Sequence, residues 1–125
     1  MTNGGTDMVD RMRQRMDPGQ VVATPGALAA LEEAGQGAAM YVDRHVGGDW
    51  GEHGTYETVE VTERERQYGA MATDDDGKLN RLAVDANNGS RVMSKYTLPT
   101  GVVLWVSTEG EGQHRNTCVM LPEDY

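Results

Sequence analysis

Two groups of residues in this sequence have side chains that could do chemistry together, and the first lies where a helical pattern breaks at glycines. It is the segment Arg44-His45-Val46-Gly47-Gly48-Asp49-Trp50-Gly51. His45 is a candidate general base because an imidazole titrates near neutral pH, and Asp49 is a candidate to orient it. A structural interpretation is also open, in which His45 bonds a backbone carbonyl, Asp49 caps the turn and Trp50 fills the core.

The second group consists of Thr108 and Glu109 at the end of one β-rich segment and of Arg115 and Thr117 around the start of the next. Across a hairpin these side chains would form a carboxylate–guanidinium pair flanked by hydroxyls. Together with His45 they match the His, Glu and Arg set with which small antiparallel-sheet ribonucleases activate a 2′-hydroxyl and hold the phosphate. The alternative is a cross-strand ion pair worth about 0.2–1 kcal/mol.

Metal and cofactor sites are not indicated by the spacing of the candidate ligands. His45, His53, His114 and Cys118 show no CxxC or HExxH pattern. The run Asp74-Asp75-Asp76-Gly77 begins like a calcium loop but lacks the later ligands and the closing Glu of an EF-hand. We therefore expect no metal and no cofactor. Since Cys118 is the only cysteine, no intramolecular disulfide forms and nothing points to an oxidising compartment.

The elements that must position these groups are clearest at the end of the chain. Three β-rich segments cover residues 91–98, 102–109 and 116–121, and turn-forming residues at 98–101 and 110–113 separate them. The middle segment is apolar on both faces, as expected of a central strand. Helical patterns precede these segments. The predicted fold is therefore α+β, with N-terminal helices packed on a C-terminal three- to four-stranded antiparallel β-meander.

Helices are predicted from caps and from apolar spacing. Thr24 and Pro25 suit the N-cap and first position of a helix that ends near Ala34, and further helices are expected over residues 38–46 and 78–86. Residues 52–76 give a poor signal, typical of an irregular or partly helical segment.

The first residues carry a narrow apolar stripe. Met8, Val9, Met12 and Met16 recur at helical spacing before Asp17-Pro18-Gly19 ends the pattern. We therefore interpret residues 1–19 as an amphipathic helix or arm and residues 20–125 as a single α+β domain. The helix must pack on this domain or on a second copy of the chain, so homo-oligomerisation through it stays open.

Charge narrows the choice of partners. The 125 residues carry 20 acidic and 11 basic side chains, a net charge of −9. This charge repels phosphates, so nucleic acid is not an expected partner. It favours solubility, or the display of carboxylates to a protein partner with a basic surface. No apolar stretch approaches the length of a membrane span or of a signal peptide, so we expect no membrane contact and a cytoplasmic location. The residues predicted to bind such a partner are two aromatic anchors and an acidic run: Trp50, Tyr56, Asp74, Asp75 and Asp76, with further carboxylates at 57–65 and 123–124.

Several segments taken together resemble a family of short bacterial "plasmid-related" proteins, some of them named after type I restriction loci. The similar segments are Val22-Ala23-Thr24-Pro25-Gly26-Ala27-Leu28, Glu32-Glu33-Ala34-Gly35-Gln36, Arg44-His45 with Gly48-Asp49-Trp50-Gly51, Asn80 with Ala83-Val84, Ser94 with Tyr96, Leu104-Trp105-Val106 with Thr108-Glu109, and Leu121-Pro122-Glu123-Asp124-Tyr125. The resemblance covers roughly residues 20–54 and 74–125. This chain departs from the family by extra residues at 55–73, a longer first helix and a longer turn at 110–114.

What the resemblance implies is a mobile-element setting, because the family has no established activity. We therefore expect a non-enzymatic binding or accessory protein, in one version an antagonist of a nucleic-acid-handling defence system. The alternative is a small nuclease or toxin-like enzyme that uses His45, Glu109 and Arg115 on an antiparallel sheet.

Overall fold

The computed structural model describes residues 14–125. Within this range the chain forms four strands, four α-helices and three short 3₁₀ turns. In chain order they are β1 (Gln20–Ala23), α1 (Pro25–Glu33), α2 (Ala38–Val46), α3 (Glu63–Tyr68), a 3₁₀ turn (Gly69–Met71), α4 (Asp76–Ala86), β2 (Val92–Thr97), β3 (Val103–Glu109), a 3₁₀ turn (Gly112–His114), β4 (Asn116–Met120) and a 3₁₀ turn (Pro122–Asp124). The α+β class is therefore confirmed.

The four strands form one mixed sheet in the order β1-β4-β3-β2. The predicted meander is confirmed for β2, β3 and β4, with Tyr96 opposite Leu104 and Val106 opposite Val119. A purely antiparallel sheet that follows all the helices is wrong, because β1 precedes the helices and pairs in parallel with β4. Hairpin turns mark antiparallel neighbours in a sequence, whereas a parallel neighbour far along the chain leaves no local signal.

One face of the sheet and helices α1 and α2 enclose the main core. Leu31 of α1 and Tyr41 and Val46 of α2 are buried against the sheet, and Trp50, which follows α2, is fully buried. The sheet residues on this face are alternate positions of the strands: Val92, Ser94, Tyr96, Leu104, Val106, Thr108, Thr117 and Val119.

Most of the predicted helix ends agree with the observed caps. The Thr24 hydroxyl accepts a hydrogen bond from Ala27 N at 3.1 Å and donates one to Asp124 at 2.6 Å, so it caps α1 and also fixes the C-terminal tail. Helix α4 begins at Asp76, two residues before the predicted start, because Asp75 caps it through Lys78 N at 2.9 Å. Asn87, in the left-handed conformation at φ 49°, ends this helix.

The segment that gave a poor sequence signal contains the short helix α3. Its N-terminus is a capping box, in which Glu65 N donates to the Thr62 hydroxyl and Thr62 N donates to Glu65 Oε1. Lys78 of α4 forms an ion pair with Glu65 at 2.8 Å, so α3 is held beside the start of α4.

Side chains and a loop close the outer edge of β2, which would otherwise expose unpaired backbone groups. The Asn80 amide of α4 donates to Met93 O at 2.7 Å and accepts from Met93 N at 2.9 Å. The loop after Trp50 continues this pairing, with Glu52 N donating to Lys95 O at 2.8 Å. Gly51 at φ 65° is required there, since a Cβ atom would collide with the Lys95 carbonyl.

Most of the predicted N-terminal helix lies outside the described residues. Residues 14–19 are not helical; in this segment Met16 is buried in the core and Arg15 N donates to Val46 O at 2.7 Å. Within residues 14–125, no helix combines the length and the apolar composition that crossing a bilayer would require.

Candidate functional site

His45, the predicted general base, lies in the last turn of α2 and has no solvent exposure. Its Nδ1 lies 2.6 Å from the Ser94 hydroxyl on β2, and its Nε2 lies 2.8 Å from the Thr108 hydroxyl on β3. Both ring nitrogens are therefore occupied by hydroxyl groups from the core face of the sheet. Neither the predicted contact with Asp49 nor the backbone carbonyl of the structural interpretation is present at the ring.

The hydrogen bonds continue from His45 as a chain whose direction can be derived. Thr117 donates its hydroxyl hydrogen to the Pro18 carbonyl at 2.7 Å, because a carbonyl can only accept. Thr117 must therefore accept from Thr108, 2.5 Å away, and Thr108 must accept from His45 Nε2–H. It follows that Nδ1 accepts from Ser94. The buried chain, Ser94–His45–Thr108–Thr117–Pro18, thus assigns the Nε2–H tautomer to His45.

Burial and charge keep the imidazole neutral. Burial, and to a smaller degree the positive charge of Arg115, lower the pKa of His45 from 6.5 to about 3. A neutral His45 satisfies this hydrogen-bond chain with one donor and one acceptor. An imidazolium would carry an N–H at both ring nitrogens, and the one at Nδ1 would face the hydrogen that Ser94 donates. Because the ring reaches neither solvent nor a cleft, its evident role is to join α2 to three strands.

The other predicted catalytic residues do not gather around His45. Asp49 forms an ion pair with Arg44 at 2.8 Å and accepts from Gly51 N at 3.1 Å, as the turn-capping interpretation requires. Burial acts to raise the pKa of Asp49, but the hydrogen bonds from Arg44 and Gly51 outweigh it and hold this pKa below its usual value. Thr117 is buried in the hydrogen-bond chain described above.

Glu109 and Arg115 do not form the predicted cross-strand pair. Glu109 is exposed and lies opposite Asn116, while Arg115 donates to the carbonyls of Asp17 and, at 2.9 Å, Gly110. The cause is the turn between β3 and β4, where Gly110 at φ 94° and a 3₁₀ turn place Arg115 beside the segment before β1.

The predicted aromatic anchors are both engaged within the fold. Trp50 is fully buried, so in this conformation it cannot contact a partner, and its indole Nε1–H has no hydrogen-bond partner among the described residues. Tyr56 is half-buried between two guanidinium groups, with Arg15 4.4 Å and Arg81 4.0 Å from its ring centre. Its hydroxyl donates to Asp85 at 2.6 Å, and this bond raises the pKa of Tyr56.

The predicted acidic run is at the surface, close to a second group of carboxylates. Asp74, Asp75 and Asp76 are exposed at the start of α4, where Asp76 lies 3.4 Å from His53 Nε2. The segment that leads into α3 lies beside them, because Gly77 packs against the side chain of Val59 and Lys78 pairs with Glu65. We call the exposed carboxylates of these two segments the acidic surface: Glu60, Glu63, Asp74, Asp75 and Asp76.

Sequence reasoning did not include Ser94 among the candidate site residues, and it grouped Thr108 with Glu109 and Arg115, whereas both hydroxyls contact His45. The period-two alternation of a strand places each of them on one face of the sheet, but only the strand register shows that this is the face that α2 covers. Among the described residues, no three His, Cys, Asp or Glu side chains are grouped closely enough to hold a metal ion together.

Comparisons of the chain with protein-family models, with characterised proteins and with solved structures find no match. The resemblance to the plasmid-related family is not tested by these comparisons and stays a prediction.

Proposed function

We propose that this chain is a non-enzymatic binding protein that uses its acidic surface to contact a basic surface on a partner protein. One observation carries the proposal. Glu60, Glu63 and Asp74 are exposed and form no ion pair with any Arg or Lys among residues 14–125. They stay unneutralised although several basic side chains lie on the neighbouring helices.

Three of the basic side chains near the acidic surface are engaged with other partners. Lys78 pairs with Glu65 at 2.8 Å, while Arg66 and Arg81 pair with Asp85 at 3.4 Å and 3.3 Å. Arg81 also donates to the carbonyls of Tyr56 and Val59. The surface therefore keeps most of its negative charge on a scaffold fixed by ion pairs, which favours fast, salt-sensitive association with a basic protein.

A helix N-terminus also stabilises a nearby carboxylate, so part of this charge has a structural use. Asp75 caps α4, and Asp76 lies in its first turn. Glu60 and Asp74 lie outside the helices and accept no hydrogen bond from another described residue. These two residues are therefore the better candidates for contact with a partner.

The setting of this function is proposed from the resemblance alone. A mobile-element protein with an exposed acidic surface would be suited to cover the nucleic-acid channel of a host defence enzyme. Its carboxylates would contact the same basic groups of the channel that otherwise contact the phosphates of the nucleic acid. The nuclease alternative gains no support from the geometry, because His45 is buried and Glu109 and Arg115 point to different surroundings.

Two triple variants of equal net charge test the proposal. The first, Glu60→Gln, Glu63→Gln and Asp74→Asn, neutralises part of the acidic surface. The matched control, Glu32→Gln, Glu33→Gln and Asp43→Asn, removes three exposed carboxylates from α1 and α2. Each variant and the wild type would be immobilised, and the bacterial proteins that each retains would be compared at about 0.1 M and about 1 M salt, where the Debye length is about 10 Å and about 3 Å.

We expect the wild type and the control to retain the same basic protein at low salt, and the first variant to retain much less of it. The wild type and the control should no longer retain this protein at high salt. Equal retention by all three proteins would contradict the proposal, and so would RNA cleavage by the wild type that His45→Ala abolishes.

A further inference from the structure

The outer face of the sheet, opposite the main core, carries a groove of about 620 Å³ between α4 and strands β2 and β3. Its floor is formed by Met93 and Trp105, both half-buried, and α4 forms one wall. The apolar lining residues are Ala70, Leu79, Leu82, Ala83, Ala86, Met93 and Trp105. This volume lies within the range of about 300–1,000 Å³ that is usual for small-molecule sites.

The groove is held open by the contact that joins α4 to the sheet. Asn80 is buried and bonds the backbone N and O of Met93 through both atoms of its amide. These two bonds fix the distance of α4 from the edge of β2, so the helix cannot close onto Trp105 without breaking them. Ala83 and Ala86, which line the wall, are too small to fill the space.

The charge around the groove is opposite in sign to that of the whole chain. Arg91 and Lys95 line it, whereas its one lining carboxylate, Asp76, faces the lining residue His53 at 3.4 Å. In a chain with 20 acidic and 11 basic side chains, this is a local excess of positive charge beside an apolar floor.

Neither cation forms a close ion pair among the described residues. Lys95 lies 3.7 Å from Glu52, a long ion pair between side chains that are well exposed to solvent. Arg91 contacts Tyr125, stacking on its ring at 5.3 Å and donating to its hydroxyl, without a carboxylate partner among the described residues. An anionic group entering the groove would therefore form charge-assisted hydrogen bonds without breaking a close ion pair.

We propose that this groove binds a small amphipathic carboxylate, with its apolar body on Trp105 and Met93 and its carboxylate between Arg91 and Lys95. The apolar body is either an aromatic ring or an acyl chain. In both cases the ligand joins an apolar surface to a carboxylate, and this combination is what the groove recognises. This site shares Asp76 with the acidic surface, but the proposal does not depend on the protein-binding role of that surface.

The test uses 1-naphthoate as the aromatic probe, octanoate as the acyl probe and 1-naphthalenemethanol as the uncharged control. Binding to the full chain would be followed by the NMR shift of the Trp105 indole. Trp50 provides an internal reference because it is fully buried away from the groove. One or both carboxylates should bind about tenfold more tightly than the alcohol, and which of them does so identifies the apolar body.

Substitutions separate charge from shape. Arg91→Gln with Lys95→Gln should weaken carboxylate binding about tenfold and leave binding of the alcohol unchanged. Ala86→Leu, at an exposed helix position that lines the groove, should block all the probes. Arg64→Gln, which removes an exposed cation of α3 that does not line the groove, should have no effect.

Several outcomes would overturn the proposal. They are equal binding of alcohol and carboxylate, no binding of either carboxylate, or unchanged binding in the Ala86→Leu variant. A mass that doubles with protein concentration and falls with Ala86→Leu would assign the groove to a second copy. Binding that appears only after residues 1–13 are removed would assign it to the N-terminal segment of this chain.

Discussion

Acidification from about pH 8 to about pH 5 should destabilise this fold through His45. The unfolded chain binds a proton at His45 with the ordinary pKa of 6.5, whereas the folded protein does so only near a pKa of about 3. Between these two values the unfolded state binds more protons, so the free energy of unfolding falls as the pH falls. The stabilisation is complete above pH 6.5 and is lost progressively toward pH 3.

The size of the effect follows from the gap between the pH and the pKa of the unfolded state. Each pH unit below 6.5 is worth about 1.4 kcal/mol, so His45 alone should cost about 2 kcal/mol of stability at about pH 5. The carboxylates with lowered pKa values, such as Asp49 and Asp85, lose their contribution only as the pH falls past the ordinary pKa of a carboxyl, about 4. The window between about pH 7 and about pH 5 therefore isolates the histidines.

Urea denaturation at several pH values in this window measures the effect. The wild type should lose about 2 kcal/mol more than His45→Gln between about pH 7 and about pH 5, and His114→Gln, at an exposed position, should behave as the wild type. The difference between variants removes the general effect of net charge.

Direct NMR titration of the imidazole gives a second reading that does not depend on how well the variant folds. His45 should stay neutral, as the Nε2–H tautomer, throughout this window. Parallel stability curves for the wild type and His45→Gln, or an imidazole that titrates near 6.5 in the folded protein, would refute the derivation.

Three further substitutions test the hydrogen-bond chain of His45, the close contact at the edge of β2 and the burial of Trp50. Thr108→Val should cost about 1–3 kcal/mol in urea denaturation, because it leaves His45 Nε2–H buried without an acceptor; a loss below about 0.5 kcal/mol would contradict the assigned chain. Gly51→Ala should cost more than Gly35→Ala, since both have positive φ but only Gly51 abuts a backbone carbonyl; equal melting temperatures would argue against this contact. Trp50→Phe should stay within about 1 kcal/mol of the stability of the wild type. The substitution removes a buried donor that has no partner, which offsets the cost of the smaller side chain. A loss above about 3 kcal/mol would indicate a hidden partner for the indole.

Local signals in the sequence predicted the meander and most of the helix boundaries. The apolar segment around Leu104 and the turns on either side of it identify the central strand, and Thr24 and Pro25 mark the start of α1. The parallel pairing of β1 with β4 could not be predicted in this way. It joins residues about a hundred positions apart in the chain, and no turn connects them.

The surroundings of His45 depended on the same non-local information. Tyr41 and His45 are four residues apart and so share one face of α2, but the residues opposite that face are set by the register of β2 and β3. Ser94 and Thr108 have no special spacing from His45 in the sequence, so both the structural and the catalytic interpretation of the histidine stayed open. Its complete burial among hydroxyl groups favours the structural role.

The rate of association with the partner retained by the wild type, measured as a function of ionic strength, tests the binding role of the acidic surface most directly. For the wild type and the control variant Glu32→Gln, Glu33→Gln and Asp43→Asn, the association rate should fall at least about tenfold when salt rises from about 0.1 M to about 1 M. The variant Glu60→Gln, Glu63→Gln and Asp74→Asn should already be slow at low salt and depend weakly on salt. The same salt dependence for all three proteins would contradict the account.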